Sequence, residues 1–160
     1  MTRLYGRGEV GKRVYDERPG NKGKNMTLIG AISDEGLIGT MTVTGALDTE
    51  AFLVFIEQIL LPVLWVGAII VMDNLPVHYA NTAKDLIESV GARVKFLPPY
   101  SPDLSPIELC WSKLKEILRS AKARTSQVLD AAITAAIELI TGDDALSWFQ
   151  HCGLFFEPIK

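Results

Sequence analysis

The chain has 160 residues, a mass of 17.6 kDa, 48% hydrophobic and 22% charged residues, which is the size and make-up of one ordinary globular domain. Its 16 Lys and Arg against 19 Asp and Glu give a formal charge of −3 and a pI near 5.4, which excludes gripping nucleic acid through a broad basic surface; any DNA contact must be local. The longest apolar run, residues 59–72, is 14 residues long and is interrupted by Pro62 and Gly67, short of the roughly 20 residues a membrane-spanning helix needs.

Residues 1–25 are rich in Gly, Arg and Lys, with Val14 and Tyr15 as a strand centre, and predict an exposed hairpin or extended arm whose basic residues are available to DNA. Gly6, Gly8 and Gly11 have GxGxxG spacing, but no apolar strand precedes them and no amphipathic helix follows, so the dinucleotide-binding fingerprint lacks its context. Residues 26–32 and 37–44 are β-rich and are separated by Ser33-Asp34-Glu35-Gly36, which predicts an antiparallel hairpin. Asp48 is placed to cap a helix whose apolar positions Ala51, Phe52, Phe55, Ile56 and Ile59 share one face, with Pro62 ending it. Residues 68–72 form a continuous apolar run closed by Asp73-Asn74, the pattern of a strand buried on both faces with Asp73 at its carboxyl end. A helix over 79–90, ended by Gly91, and a strand over 93–97 complete a strand-helix-strand unit, so the fold class is α/β.

Residues 98–106 are too rich in proline to be regular, and the fixed φ angles make the segment stiff. Ser105 at an N-cap, Pro106 in the first turn and Glu108 three residues after the Ser predict a capping box, followed by Ile107, Cys110, Trp111, Leu114 and Leu118 at helical spacing. A second amphipathic helix runs from Val128 to Ile140 and a short last one covers 145–149, with Asp143-Asp144 favouring its N-terminus through the helix dipole. Cys110 and Cys152 have no CxxC spacing and read as buried thiols; His151 beside Cys152 cannot easily aim at one ion. The N-terminus has no apolar core of a secretory signal, so the cytoplasm is the expected compartment, with no membrane partner.

An acidic residue at a strand's carboxyl end and another at the start of a later helix are what metal-dependent phosphoryl-transfer sites use, because hard Mg²⁺ or Mn²⁺ prefers carboxylate oxygen. Asp73 and Glu108 are the candidates, although Asp73 is also suited to cap its turn and Glu108 to partner Ser105 alone. Their surroundings are Val-Met-Asp73-Asn-Leu-Pro-Val-His78 and Phe96-Leu-Pro-Pro-Tyr-Ser-Pro-Asp-Leu-Ser-Pro-Ile-Glu108-Leu-Cys-Trp111, with 34 residues between the two acids. In motif and spacing this resembles the mariner-like DDE transposases of bacterial insertion sequences. The likeness extends upstream through Tyr5-Gly6-Arg7, Arg18-Pro19 and Gly30-Ala31 to Thr49.

The resemblance implies an RNase H-like mixed sheet flanked by helices, with residues 1–160 as a single catalytic domain. It implies Asp73 and Glu108 as catalytic metal ligands, His78 and Asn74 as accessory residues, Mg²⁺ or Mn²⁺ as cofactor, and DNA, both transposon ends and target, as partner. It also implies a further Asp at the end of a central first strand shortly before the hairpin. No acidic residue precedes Tyr5, so that strand is expected to be missing and the domain incomplete at its N-terminus; Asp16 and Glu17 follow the Tyr5 motif instead. Two unpaired strand edges would then face one another, which predicts a sticky monomer, a homo-oligomer or pairing with an upstream transposase fragment. Lys113, Lys115, Arg119, Lys122 and Arg124 either track a DNA backbone or form a solvated helix face. The alternative of another class is a catalytically inactive transposase remnant that acts as an interaction module; a nucleotide-binding module built on the Gly-rich arm is the weakest reading. No helix-turn-helix reader is present in the sequence pattern, so recognition of specific ends must lie elsewhere.

Overall fold

The computed structural model describes residues 7–13, 15, 25–79, 81–123 and 125–154. Most of the N-terminal arm, including Asp16 and Glu17, lies outside the described residues.

The predicted hairpin forms from β1 (Met26–Ser33) and β2 (Gly36–Thr44), antiparallel, with Gly36 at φ 130° closing the turn. The register slips between Ala31 and Ile32, a bulge that bends the hairpin near its turn. Alternation along β1 sends its residues to two cores. Ile29 packs with Phe52, Phe55 and Ile56 on one face, and Met26 and Leu28 pack against Leu114, Leu118, Ile133 and Ala136 on the other.

Helix α1 (Thr49–Phe55) starts where the Asp48 side chain accepts the Ala51 N–H at 2.8 Å, and it continues as a π turn over Ile56–Leu60 and a 3₁₀ turn over Leu61–Val63. The widened turn keeps Ile56 and Leu60 facing the core as the chain approaches Pro62, whose ring forbids further α geometry. Strand β3 (Ile69–Met72), helix α2 (Asn81–Ser89) and strand β4 (Arg93–Phe96) form the expected parallel unit, in register from Ile69 opposite Arg93 to Met72 opposite Phe96.

Helix α3 (Pro106–Ala121) lies across β1 and packs against α4 (Ser126–Glu138) and α5 (Gly142–His151). The last helix begins at Gly142 instead of 145, because Thr141 and Asp144 form a reciprocal capping box. Three corrections to the sequence reading follow from the packing. Ile69 is 54% and Val71 48% exposed, so β3 is covered on one face only, where Ile70 and Met72 pack against the core that Phe52 of α1 and Ala83 and Ile87 of α2 help to build. Ser105 occupies the N-cap of α3 but its side chain makes no cap hydrogen bond, so the predicted Ser105–Glu108 capping box is absent and the Glu108 N–H instead reaches the Ser105 carbonyl at 3.0 Å. Lys113 is tied down instead of standing free on its helix, because its ammonium bonds Asp144 Oδ2 at 2.5 Å and the Leu139 carbonyl at 3.2 Å, linking α3 to the start of α5.

The strands make two separate pairs, β1-β2 and β3-β4, with no fifth strand between them among the described residues. Among the described residues, no helix is long and apolar enough to cross a membrane.

Candidate functional site

Asp73 follows the last residue of β3, where the run of apolar residues ends and the chain leaves the ladder. Its Oδ1 accepts the Leu75 N–H at 3.1 Å and lies 2.7 Å from His78 Nδ1. The 3₁₀ turn over Pro76–Tyr79 brings His78 back over the aspartate, and Phe52 of α1 supports the imidazole with ring centroids 4.6 Å apart. One carboxylate oxygen is therefore held by two donors, while Oδ2 has no hydrogen bond among the described residues and the side chain is about half exposed. The predicted cap of the post-strand turn is formed, and the contact with His78, which nothing in the sequence reading specified, is added to it. They use the same oxygen, so the capping and ligand roles are compatible.

Asn74 turns to the neighbouring strand end, where its Nδ2 donates to the Leu97 carbonyl at 2.6 Å. Leu97 N–H in turn reaches the Met72 carbonyl at 2.8 Å, which locks the Asp73 turn to the start of the proline-rich loop.

Glu108 is the third residue of α3 and is exposed, with its side chain free of the capping duty the sequence suggested. The helix that carries it is seated by Trp111 over Gly30 of β1: a Cβ at Gly30 would lie 2.8 Å from the Trp111 ring. A glycine in mid-strand marks a place where another element comes close, but nothing in the sequence names Trp111 as that element.

Asp73 and Glu108 line one cavity of about 400 Å³, whose walls include residues 27–32 of β1, residues 69–73, residues 104–108, Leu75, His78 and Trp111. The structure thus brings Asp73, His78 and Glu108 to one cleft, leaves Asn74 bracing its edge, and keeps Lys113 out of it. No three His, Cys, Asp or Glu side chains converge on a metal position among the described residues, and the carboxylates that line this cavity are Asp73 and Glu108. That donor set suits Mg²⁺, which binds through one or two carboxylates and completes its shell with water and substrate phosphate.

A family model described as DDE superfamily endonuclease matches residues 1–130. No curated protein matches the sequence. Among solved structures, the Mos1 strand transfer complex superposes with a TM-score of 0.74 at 17% identity, covering 94% of this chain and 47% of that one. The Mos1 mariner paired end complex with Mn gives 0.69 at 16% identity, covering 92% and 46%. A pre-cleavage Mos1 transpososome gives 0.70 at 16% identity, covering 98% and 53%. The chain spans about half the length of the structures it matches. The likeness bears out the α/β, RNase H-like arrangement, and the family model bears out the DDE resemblance read from the motifs around Asp73 and Glu108. With 130 of its 160 residues matched, the chain belongs to the DDE superfamily endonuclease family.

Proposed function

We propose that residues 1–160 act as the catalytic domain of a transposase, cleaving phosphodiester bonds at transposon ends and joining the freed 3′-hydroxyl to target DNA in the cytoplasm. The observation that carries this reading is that Asp73, at a strand end, and Glu108, at a helix start with 34 residues between them, line one cleft. Membership of the endonuclease family and likeness to Mos1–DNA assemblies support it.

Asp73 and Glu108 would hold Mg²⁺ or Mn²⁺, which supplies positive charge to phosphoryl oxygens as negative charge builds on them. The Mos1 mariner complex with Mn supports this choice of ion. The chain's own residues do the positioning. His78 and the Leu75 N–H fix the Asp73 carboxylate, Phe52 fixes His78, and Asn74 ties the turn to Leu97, so the carboxylate needs little reorganisation when substrate binds. In cleavage, a water oxygen attacks phosphorus and the P–O3′ bond breaks, leaving a 3′-hydroxyl. In joining, that hydroxyl attacks a target phosphorus and displaces another 3′-oxygen.

The third acid of the site enters on a further strand inserted between β1 and β3, supplied by an upstream segment or by another copy. Support comes from the two strand edges that line the cleft, residues 27–32 and 69–73, each strand being paired on one side only among the described residues. The rival reading is an inactive remnant that binds an intact transposase; what favours it is that Asp73 and Glu108 are the two carboxylates lining the cleft among the described residues.

The test is Mg²⁺- or Mn²⁺-dependent nicking of transposon-end DNA by the chain with the further strand supplied. Asp73→Ala and Glu108→Ala should each lower the rate by at least roughly 100-fold, the scale of losing a preorganised electrostatic group. Activity that survives both substitutions would sink the assignment, and no activity in the complemented parent would leave the remnant reading standing.

A further inference from the structure

Tyr100 is 102% exposed and sits at φ 58°, the left-handed region that a bulky aromatic residue seldom adopts. Its ring buries no surface within the chain, so packing returns nothing for the strained backbone, and strain of this kind persists only where the surroundings impose it.

The surroundings do impose it. On one side, Leu97 is bonded through its N–H to Met72 and through its carbonyl to Asn74, next to Asp73. On the other, Pro102–Leu104 form a 3₁₀ turn and buried Pro106 opens the helix that carries Glu108. Between these anchors, Pro98, Pro99 and Pro102 fix three φ angles, and Ser101 Oγ donates to the Pro99 carbonyl at 3.4 Å. The loop is clamped at both ends to the elements bearing the two acids, and between those anchors it holds an exposed aromatic ring out to solvent.

We propose that Tyr100 is a stacking platform for an unpaired nucleobase of the DNA flanking the scissile phosphate. This rests on the transposase reading and adds to it the group that would hold the strand in place. A base offers a π-face of any sequence to such a ring, whereas a chain with a net charge of −3 has little general attraction for phosphates and gains from a local, charge-independent hold. The same rigidity explains the position of the strain: a ring on a flexible loop would lose conformational freedom on binding, and a ring held by prolines loses little.

The experiment uses a duplex with a single-stranded flank that carries 2-aminopurine, in Ca²⁺ to prevent cleavage, with the full chain and its Tyr100→Phe, Tyr100→Ala and Tyr100→Gly variants. Stacking on aromatic rings tolerates any base, so no particular end sequence is needed. The expected result is quenching of 2-aminopurine by the parent and by Tyr100→Phe. Tyr100→Ala and Tyr100→Gly should lose the quenching and bind about tenfold more weakly, the scale of one lost base–aromatic stack. Tyr100→Gly should also melt higher than the parent, because glycine adopts a positive φ without strain; a ring with a structural duty would give the opposite shift. Asp73→Ala should keep the quenching while abolishing the Mg²⁺-dependent nicking of the chain with the further strand supplied, which separates this proposal from the catalytic one. Equal quenching and affinity in Tyr100→Ala and the parent, or failure of the parent to bind the flanked duplex, would overturn the assignment.

Discussion

Cys110 is fully buried on α3, and burial, with Asp144 nearby, pushes its thiol up from 9.0 to about 11. At pH 8 only about one thiol in a thousand is then thiolate, the form that reacts. Native protein should resist iodoacetamide at pH 8 until it is unfolded in urea, as peptide mapping would record; rapid native labelling would contradict the packing of α3. Asp144 shows the opposite displacement. The Lys113 ammonium hydrogen-bonded to it, helped by the Thr141 N–H, holds its carboxyl below the ordinary 3.8. The unfolded chain therefore takes up this proton before the folded one does, so the stabilisation is present above pH 3.8 and fades as pH falls through the folded value. Asp144→Ala should lose about 1 kcal/mol in urea denaturation at pH 7, the usual scale of a lost helix cap, and the gap from the parent should close towards pH 2. A gap that stays constant with pH would mean that the charge of Asp144 contributes nothing.

At the scale of elements, the position of Glu108 depends on how α3 seats on the hairpin. Gly30→Ala would drive a methyl group into the Trp111 ring and should cost about 1–3 kcal/mol, or roughly 2–4 °C in Tm for each kcal/mol. With the further strand supplied, the variant should also lose nicking more steeply than it loses stability, measured at a temperature where it is fully folded, because tilting α3 moves Glu108 relative to Asp73. Much of this arrangement was legible in the sequence. The hairpin announced itself through two β-rich runs around Ser33-Asp34-Glu35-Gly36, α1 through Asp48 and its apolar spacing, and the parallel unit through the run that ends at Asp73. The errors have physical causes. Ser105 and Glu108 carry a capping-box pattern, but pattern does not fix rotamers, and the box formed instead at Thr141 and Asp144, where a carboxylate one methylene shorter also meets Lys113. The apolar run of β3 looked buried on both faces because composition cannot say which neighbour covers a strand, and Ile69 and Val71 lack one. The support of His78 by Phe52 joins residues 26 apart through tertiary packing, and nothing local in the sequence marks it.

At the scale of the whole molecule, the organising feature is the cleft between two strand pairs. Its floor and walls are apolar, its rim holds Asp73 and Glu108, and its sides are strand edges with backbone groups available to a partner. A peptide lying there as a strand would gain hydrogen bonds on both sides and would cover Ile69 and Val71, which is the most favourable setting for strand addition. The chain alone should therefore self-associate as its concentration rises in sedimentation velocity, and Val71→Lys should reduce this by placing a charge on the cleft wall. An extended peptide of alternating apolar residues ending in Asp should raise Tm and suppress the self-association. The same peptide ending in Asn should do both equally well, since neither effect needs the carboxylate. Only the Asp peptide should confer Mg²⁺-dependent nicking, because a third acid beside Asp73 and Glu108 is a matter of charge, whereas filling the cleft is a matter of backbone and apolar surface. Nicking with both peptides would place the third acid elsewhere, and no thermal shift with either would mean that the cleft does not take a strand.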